Sequence, residues 1–386
     1  MAKTPKQAKL VLEDGSEFSG WSFGKARSQA GEVVFSTGMT GLTHTLTDPA
    51  SRGCILVSTY PLAGNCGAAL NKTGEPVFDS FGLPIHVESA RVQVSGLVVS
   101  EACEEPSHYA SSITLSAWLE KNNVPGIFGI DTRALTVRLR EQGVMMGKIL
   151  VEGSRDVTFD SGAVSNPVQD VSPAEPSTIV PPIDSAVKQP AAKDSLRIAL
   201  VDCGAKAGII RCLLQRGAEI IRVPWNHDLG GLHFDGAVLS GGPGDPKACG
   251  KTIAAVRKAF SLGRPIFGIG LGCQIMALAA GADTYKLPFG HRGLNQPCVE
   301  LNNGVQGRCY STSQNHGYAV RPDTLPASWK PWFINNNDGT IEGIRSERGP
   351  FSAVQFNPEG RPGPRDAEFL FDQFLKLVRE QKNERN

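Results

Sequence analysis

The sequence lacks an excess of charge of either sign. Its 39 Lys and Arg residues nearly balance 38 Asp and Glu residues, which leaves a formal net charge of +1, and the basic residues are scattered. Proteins that bind nucleic acid or anionic membranes by bulk electrostatics carry a basic patch or tail. We therefore predict no nucleic-acid partner and no membrane partner.

Long hydrophobic runs and paired cysteines are missing too. No apolar stretch approaches the roughly 18 residues of a membrane-spanning helix, and no hydrophobic region follows the mildly basic residues 1–8, as a secretory signal requires. The nine cysteines form no C-x-x-C pair, so neither a disulfide framework nor a zinc site is indicated. The sequence predicts a cytoplasmic protein with no metal, and a short transit peptide is the alternative.

What the sequence does contain is a change of pattern along 386 residues, a length that suits two domains and a linker. Residues 1–150 hold short β-type runs, and one helix follows Asp131 and ends at Gly143. Residues 151–195 contain six prolines and no sustained period, which predicts a surface linker. We predict an α/β protein whose mainly β N-terminal domain, with helices, is linked to a second domain at residues 196–386.

Strands and helices alternate in the second domain. The predicted strands are residues 197–201, 220–223, 236–239 and 265–269, with helices at 204–216, 252–260 and 274–280. This order predicts a mostly parallel sheet with helices on both faces. Ligands of such sheets bind beyond the carboxyl ends of the strands, so the loops that follow Leu239 and Ile269 should point toward one site.

The segment FGIGLGCQ at residues 267–274 has the layout of a nucleophile elbow, in which a strand, a sharp turn and a helix follow one another. Free N–H groups and the helix dipole at such a turn stabilise a thiolate or an oxyanion. The central position calls for Cys or Ser, yet it holds Gly270. Any other residue would cost roughly 1–3 kcal/mol of backbone strain there, so glycine is expected to relax the turn.

These motifs resemble those of class I glutamine amidotransferases. In that family the central elbow residue is the cysteine that attacks glutamine, and a Phe-His-Pro-Glu motif supplies the general base and the glutamate that orients it. The matching stretch AVQFNPE, residues 353–359, has Asn357 at the base position and keeps Glu359. The loop at residues 240–246 resembles the family's glycine-rich oxyanion loop.

Further motifs are similar to the small subunit of carbamoyl-phosphate synthetase over nearly the whole chain. GMTG at residues 38–41, LTDP at 46–49 and GIDTRALT at 129–136 resemble its N-terminal domain, which other amidotransferases of this class lack. Residues 289–297 and QNHGY at 314–318 are equally specific. The resemblance implies a glutaminase without a cofactor of its own. Its ammonia would reach a large synthetase subunit that uses ATP, expected as a separate chain in a heterodimer.

The resemblance also implies which positions of this chain match the family's L-glutamine pocket. The positions expected to keep these contacts are Gly242, Gly244, Leu271, Gln274, Asn315, Gly317 and Tyr318. The backbone N–H of Leu271 would complete an oxyanion hole. A substrate-contacting serine of the family's N-terminal domain matches Ala50, so three polar positions have changed together: Ala50, Gly270 and Asn357.

Three functional interpretations follow. The first is a small subunit with impaired glutaminase chemistry, in a complex that makes carbamoyl phosphate for arginine and pyrimidine synthesis from free ammonia. The second is a non-catalytic glutamine-binding or regulatory paralogue. The third is an active glutaminase that uses Cys273. Because Asn357 cannot accept a proton at neutral pH, His316 would have to replace it, but we interpret His316 and His291 as structural histidines.

Overall fold

Two units make up the structure, a computed structural model that describes residues 5–71, 73–162, 165–182, 195–302 and 305–385. The N-terminal unit comprises Met1–Asp79 and Pro84–Ser165, and the C-terminal unit comprises Ser80–Leu83 and Asn166–Asn386. None of the helices within the described residues is long and apolar enough to cross a bilayer.

Seven strands close into a barrel in the N-terminal unit. The strands are β1 Gln7–Leu12, β2 Glu17–Gly24, β3 Gln29–Ser36, β4 Ile55–Ser58, β5 Gly96–Val98, β6 Pro125–Phe128 and β7 Met145–Val151, and the helices are α1 Leu42–Thr47, α2 Leu115–Lys121 and α3 Thr132–Gln142. Their order around the barrel is β1-β2-β6-β5-β4-β3-β7. Every second residue of β7 is buried, as expected for a strand with one face toward a core.

The helix predicted after Asp131 is α3. The Asp131 carboxylate accepts a hydrogen bond of 2.9 Å from the backbone N–H of Ala134, and Gly143 ends the helix at a φ of 90°. Both ends therefore follow from local side-chain chemistry, an N-cap carboxylate and a glycine stop.

The C-terminal unit contains one ten-stranded sheet. Its strands are β8 Ser177–Ile179, β9 Arg197–Asp202, β10 Glu219–Pro224, β11 Gly236–Leu239, β12 Ile266–Ile269, β13 Thr284–Asn302, β14 Val305–Val320, β15 Trp329–Asn335, β16 Ile341–Ser346 and β17 Phe351–Val354. Its helices are α4 Val168–Val171, α5 Ala207–Gln215, α6 Gly250–Phe260, α7 Leu271–Ala280 and α8 Phe369–Arg385. The strand order is β14-β13-β15-β16-β17-β12-β11-β9-β10-β8.

The parallel part of this sheet runs β10-β9-β11-β12-β17, and the strands on either side of it pair antiparallel. Antiparallel neighbours such as β13 and β14 need no crossover helix between them. An alternation of strands and helices in the sequence therefore does not predict these strands. Alternate residues of the parallel strands face different cores. Val201 packs with α6 and α7, whereas Leu200 packs with α5 and α8, which puts helices on both faces as predicted.

The segment predicted as a linker carries regular structure. Its residues form α4 and β8, and β8 pairs antiparallel with β10 at the edge of the sheet. A three-residue edge strand needs only a few apolar positions, so it leaves no periodic signal in a Pro-rich sequence. Residues 163–164 and 183–194 of the predicted linker lie outside the described residues.

Candidate active site

The turn between β12 and α7 has the geometry of an elbow. Gly270 has a φ of 57° and a ψ of −115°, a left-handed conformation that L side chains rarely adopt. Its N–H donates to the carbonyl of Val354 at 2.9 Å, and its own carbonyl accepts from the N–H of Cys273 at 3.0 Å. The helix begins at Leu271, three residues before the predicted start at residue 274. The backbone is therefore turned as sharply as the motif predicts.

The elbow has room for a side chain at its centre but not at its flanks. A Cβ built on Gly270 would lie 3.4 Å from the Gly241 Cα and 3.9 Å from the Gln355 carbonyl oxygen, which are ordinary contacts. A Cβ on Gly268 would lie 2.7 Å from the Met276 sulfur, so packing requires glycine at that flank. At the centre only the backbone angles favour glycine.

The loop predicted as an oxyanion loop, residues 240–246, lies against this turn. β11 and β12 are parallel neighbours, and the N–H of Gly272 donates to the Ser240 carbonyl at 3.1 Å, so the two loops leave the sheet side by side, as predicted. A Cβ on Gly242 would collide with the Cys203 carbonyl and lie 2.9 Å from Leu271 Cδ2. Leu271 is the first residue of α7, where a backbone N–H has no carbonyl partner within the helix. Such an N–H can donate to an anion.

The QNHGY block reaches the same edge of the sheet from β14. Gln274 is only 3% exposed, and its amide nitrogen donates to the Tyr318 carbonyl at 2.9 Å and to Gln355 Oε1 at 3.2 Å. Along β14, Gln314 and His316 are buried, whereas Asn315 and Gly317 are partly exposed. The structure thus brings Gln274 together with the predicted contact block, and the alternation leaves Asn315 and Gly317 on the more open face.

Glu359 is held by a lysine that no sequence motif predicts. The Lys206 ammonium lies 2.6 Å from Glu359 Oε1 and also donates to the Arg361 carbonyl, and both side chains are buried. Asn357 is attached to β14 by a hydrogen bond of 2.8 Å from its N–H to the Ser313 carbonyl. No local pattern marks Lys206, because it is 153 residues away from its partner.

Two of the predicted site positions, Ala50 and Cys273, have surroundings that differ from those of the elbow and the QNHGY block. Ala50 belongs to the N-terminal unit, where its N–H donates to the Asp48 carboxylate at 2.9 Å, and its contribution to a glutamine pocket stays a prediction. Cys273 is fully buried in the first turn of α7. Burial raises the pKa of the Cys273 thiol well above its ordinary value, with a contribution from the charge of Glu342, so the thiol stays protonated at neutral pH.

A cluster of histidines and acids lies in the antiparallel part of the sheet. His291 Nδ1 is 3.0 Å from Glu342 Oε1, and His291 Nε2 is 2.9 Å from Asp338 Oδ2. Although burial opposes ionisation of Glu342, the hydrogen bonds and charges of both histidines lower its pKa to about 2. Burial also opposes protonation of His291, but Glu342 and Asp338 raise its pKa, whereas burial lowers the pKa of His316. Within the described residues, the ligand atoms of His291, His316 and Glu342 lie close enough together to hold a metal.

Two family models match this chain. Residues 199–377 match the family model "Glutamine amidotransferase class-I", and residues 10–149 match "Carbamoyl-phosphate synthase small chain, CPSase domain". The chain belongs to the carbamoyl-phosphate synthase small-chain family. The two matches cover the barrel and the sheet that carries the elbow, so the family resemblance and the class I amidotransferase fold are confirmed.

The relatives of this small-chain family member are longer proteins. "Multifunctional protein pyr1-3" of Dictyostelium discoideum is 43% identical over 384 residues, which cover 97% of this chain and 17% of that protein. Human "Carbamoyl-phosphate synthase [ammonia], mitochondrial" is 43% identical over 377 residues, which cover 97% of this chain and 24% of that protein. The chain thus spans under a quarter of these relatives, and a separate large subunit and a cytoplasmic location remain predictions.

Among solved structures, PurLQS from Thermotoga maritima aligns with this chain at 18% sequence identity and a TM-score of 0.40. The alignment covers 48% of this chain and 99% of the PurLQS chain.

Proposed function

We propose that this chain is the glutamine amidotransferase part of a carbamoyl-phosphate synthase, that its glutaminase chemistry is impaired or absent, and that the synthase uses free ammonia. The observation that carries the proposal is a glycine at the centre of an elbow whose backbone is otherwise intact. A large synthetase subunit or segment would be its partner and would consume ATP.

The proposal of an impaired glutaminase rests on two groups that this chain lacks, a nucleophile and a general base. A triad amidotransferase needs a thiolate to attack the glutamine amide carbon, and a base to accept protons while ammonia leaves and water releases glutamate. Gly270 offers no atom for the attack, and the amide of Asn357 accepts no proton at neutral pH. Loss of a triad nucleophile or base lowers kcat on the order of 10⁶-fold in a comparable hydrolase. The acyl-enzyme route is therefore closed.

The pocket around these two positions is retained, which favours glutamine binding without turnover. Packing requires glycine at Gly242 and Gly244 of the predicted oxyanion loop, and Leu271 presents its N–H at the start of α7. Buried Gln274 braces the Tyr318 backbone. A relative 43% identical to this chain is named as an ammonia-using synthase, which also supports use of free ammonia here.

The test compares nitrogen donors in the assembled synthase. We expect carbamoyl phosphate from ammonium but not from glutamine with the parent chain, and use of glutamine only with the Gly270→Cys/Asn357→His double variant. Gly270→Cys alone is the matched control, because it restores the nucleophile without the base. Glutamate release by the parent as fast as ammonium is consumed would refute the proposal.

Two alternatives give different results in the same experiment. If Cys273 were the nucleophile, Cys273→Ala would abolish a glutaminase activity of the parent, and a glutamine-analogue electrophile would label that residue. Its burial and raised thiol pKa argue against this route. A regulatory glutamine-binding paralogue would bind glutamine but fail to co-purify with any synthetase.

A further inference from the structure

Three buried side chains from neighbouring strands turn toward one point in the C-terminal unit. They are His291 on β13, His316 on β14 and Glu342 on β16, each at most 7% exposed, and their ligand atoms lie within 4.8 Å of one another. Glu342 Oε1 is 3.0 Å from His291 Nδ1 and 3.8 Å from His316 Nε2. Two donors on one tetrahedral zinc, at about 2.05 Å each, are about 3.4 Å apart. Both Glu342 distances lie within about 0.5 Å of this spacing, so small side-chain shifts would let the groups share one ion.

The outer nitrogen of each ring is already held in the way that a metal ligand requires. His291 Nε2 lies 2.9 Å from Asp338 Oδ2, and His316 Nδ1 lies 2.9 Å from the Tyr318 carbonyl oxygen. Metal-binding histidines almost always donate their other N–H to a carboxylate or a backbone carbonyl, which fixes the tautomer and the ring orientation. In that tautomer, which a bound metal would select over N–H donation to Glu342 and Gln314, the lone pairs of His291 Nδ1 and His316 Nε2 point inward.

Most of the polar atoms near this point are acceptors, and an amide donor there, Asn335 Nδ2, is bound to Glu342 Oε1 at 3.2 Å. The Thr312 hydroxyl donates to the Gln296 carbonyl at 2.8 Å and so accepts from Gln314 Nε2 at 3.1 Å, which fixes the orientation of the Gln314 amide. Its Oε1 therefore faces His316 Nε2 at 2.9 Å. Within the part of the chain that the structure describes, the buried Oε2 of Glu342 has no hydrogen-bond partner. Buried acceptors that face one another are costly unless a proton or a metal cation lies between them.

We propose that His291, His316 and Glu342 bind one divalent transition-metal ion of the zinc class, with Gln314 Oε1 available as a fourth ligand. Two imidazole nitrogens and a carboxylate suit zinc and its neighbours, whereas Mg²⁺ and Ca²⁺ prefer oxygen donors alone. The ion ties three strands together. It also fixes the Tyr318 carbonyl, which accepts from Gln274 Nε2 at 2.9 Å, so under the proposed function the site supports the glutamine pocket from below.

The experiment titrates Zn²⁺ or Co²⁺ into the full chain after removal of metal with a chelator. We expect one equivalent per chain, visible d–d bands of four-coordinate Co²⁺, and a Tm that rises with Zn²⁺ concentration. Glu342→Gln should lose stoichiometric binding, and Asp338→Asn should lower the affinity about 10–100-fold. The control His233→Asn, at an exposed histidine of the same unit, should bind as the parent does.

Two results would overturn the metal site. One is a folded parent that binds neither Zn²⁺ nor Co²⁺ stoichiometrically, with imidazole nitrogen NMR shifts that place a proton between His316 and Gln314. The other is unchanged binding by folded Glu342→Gln. If that variant does not fold, X-ray absorption of the Zn²⁺-loaded parent decides alone: two imidazole ligands support the site, and fewer refute it. None of these results depends on glutaminase activity, so the proposed function is tested separately.

Discussion

Substitution of Gly270 by alanine should destabilise the C-terminal unit by backbone strain alone. The φ of 57° and ψ of −115° cost a non-glycine residue about 1–3 kcal/mol. Steric overlap adds little, because the nearest atoms to the new Cβ would be 3.4 Å and 3.9 Å away. We therefore expect a loss of about 1–3 kcal/mol in the free energy of unfolding, with no cavity and no unsatisfied polar group introduced.

Two other glycines, Gly263 and Gly250, serve as controls that separate backbone strain from other causes of destabilisation. Gly263 has a φ of 63° and nothing within 4 Å of its Cβ position, so Gly263→Ala should also cost strain, by a similar or smaller amount. Gly250, at the first position of α6, has neither a positive φ nor a neighbour within 4 Å, and Gly250→Ala should change stability by less than about 0.5 kcal/mol.

The assay is hydrogen exchange of backbone amides in β11, β12 and β17 under increasing urea. These amides report the opening of the C-terminal unit alone, since the two units need not unfold together. Equal stability of Gly270→Ala and the parent would refute the strain argument. A loss far above about 3 kcal/mol would show that a side chain does not fit at the elbow, which would also undermine the Gly270→Cys variant.

Two further predictions concern side chains near the elbow. Lys206→Met should lower the free energy of unfolding by about 3–5 kcal/mol, because it removes the ammonium from the buried carboxylate of Glu359. The double variant Lys206→Met/Glu359→Leu should regain much of that loss. A double variant as unstable as the single one would contradict the pairing. In the folded protein, iodoacetamide should modify exposed Cys66 but leave Cys273 intact up to pH 9, because burial raises the thiol pKa of Cys273. Mass spectrometry would identify the modified residue, and modification of Cys273 before unfolding would contradict its burial.

Local signals in the sequence account for much of the fold. The strand predicted at residues 236–239 coincides with β11, because a fully buried parallel strand reads as an unbroken apolar run. The helix α3 is bounded by its own cap and stop residues. The antiparallel strands β13 to β16 were not predicted, since their register includes bulges and depends on pairing partners far along the chain.

The elbow and its substitutions are a property of the sequence itself. Gly270 lies within a contiguous motif, and a turn between a strand and a helix is a local conformation, so the motif predicts the backbone that the structure shows. The predicted loss of the nucleophile at Gly270 and of the base at Asn357 is likewise inferred from the sequence alone. What the sequence could not indicate was that the centre of the elbow still has room for a side chain, because that depends on Gly241 and Gln355.

Only the tertiary structure decided which distant groups share the site. Lys206 and Glu359 are 153 residues apart, and His291, His316 and Glu342 lie on three different strands. The sequence alone made both histidines look structural and predicted no metal, since no short ligand spacing marks them. Strand pairing places their side chains a few ångströms apart, and such pairing is set by the packing of the whole sheet rather than by neighbouring residues.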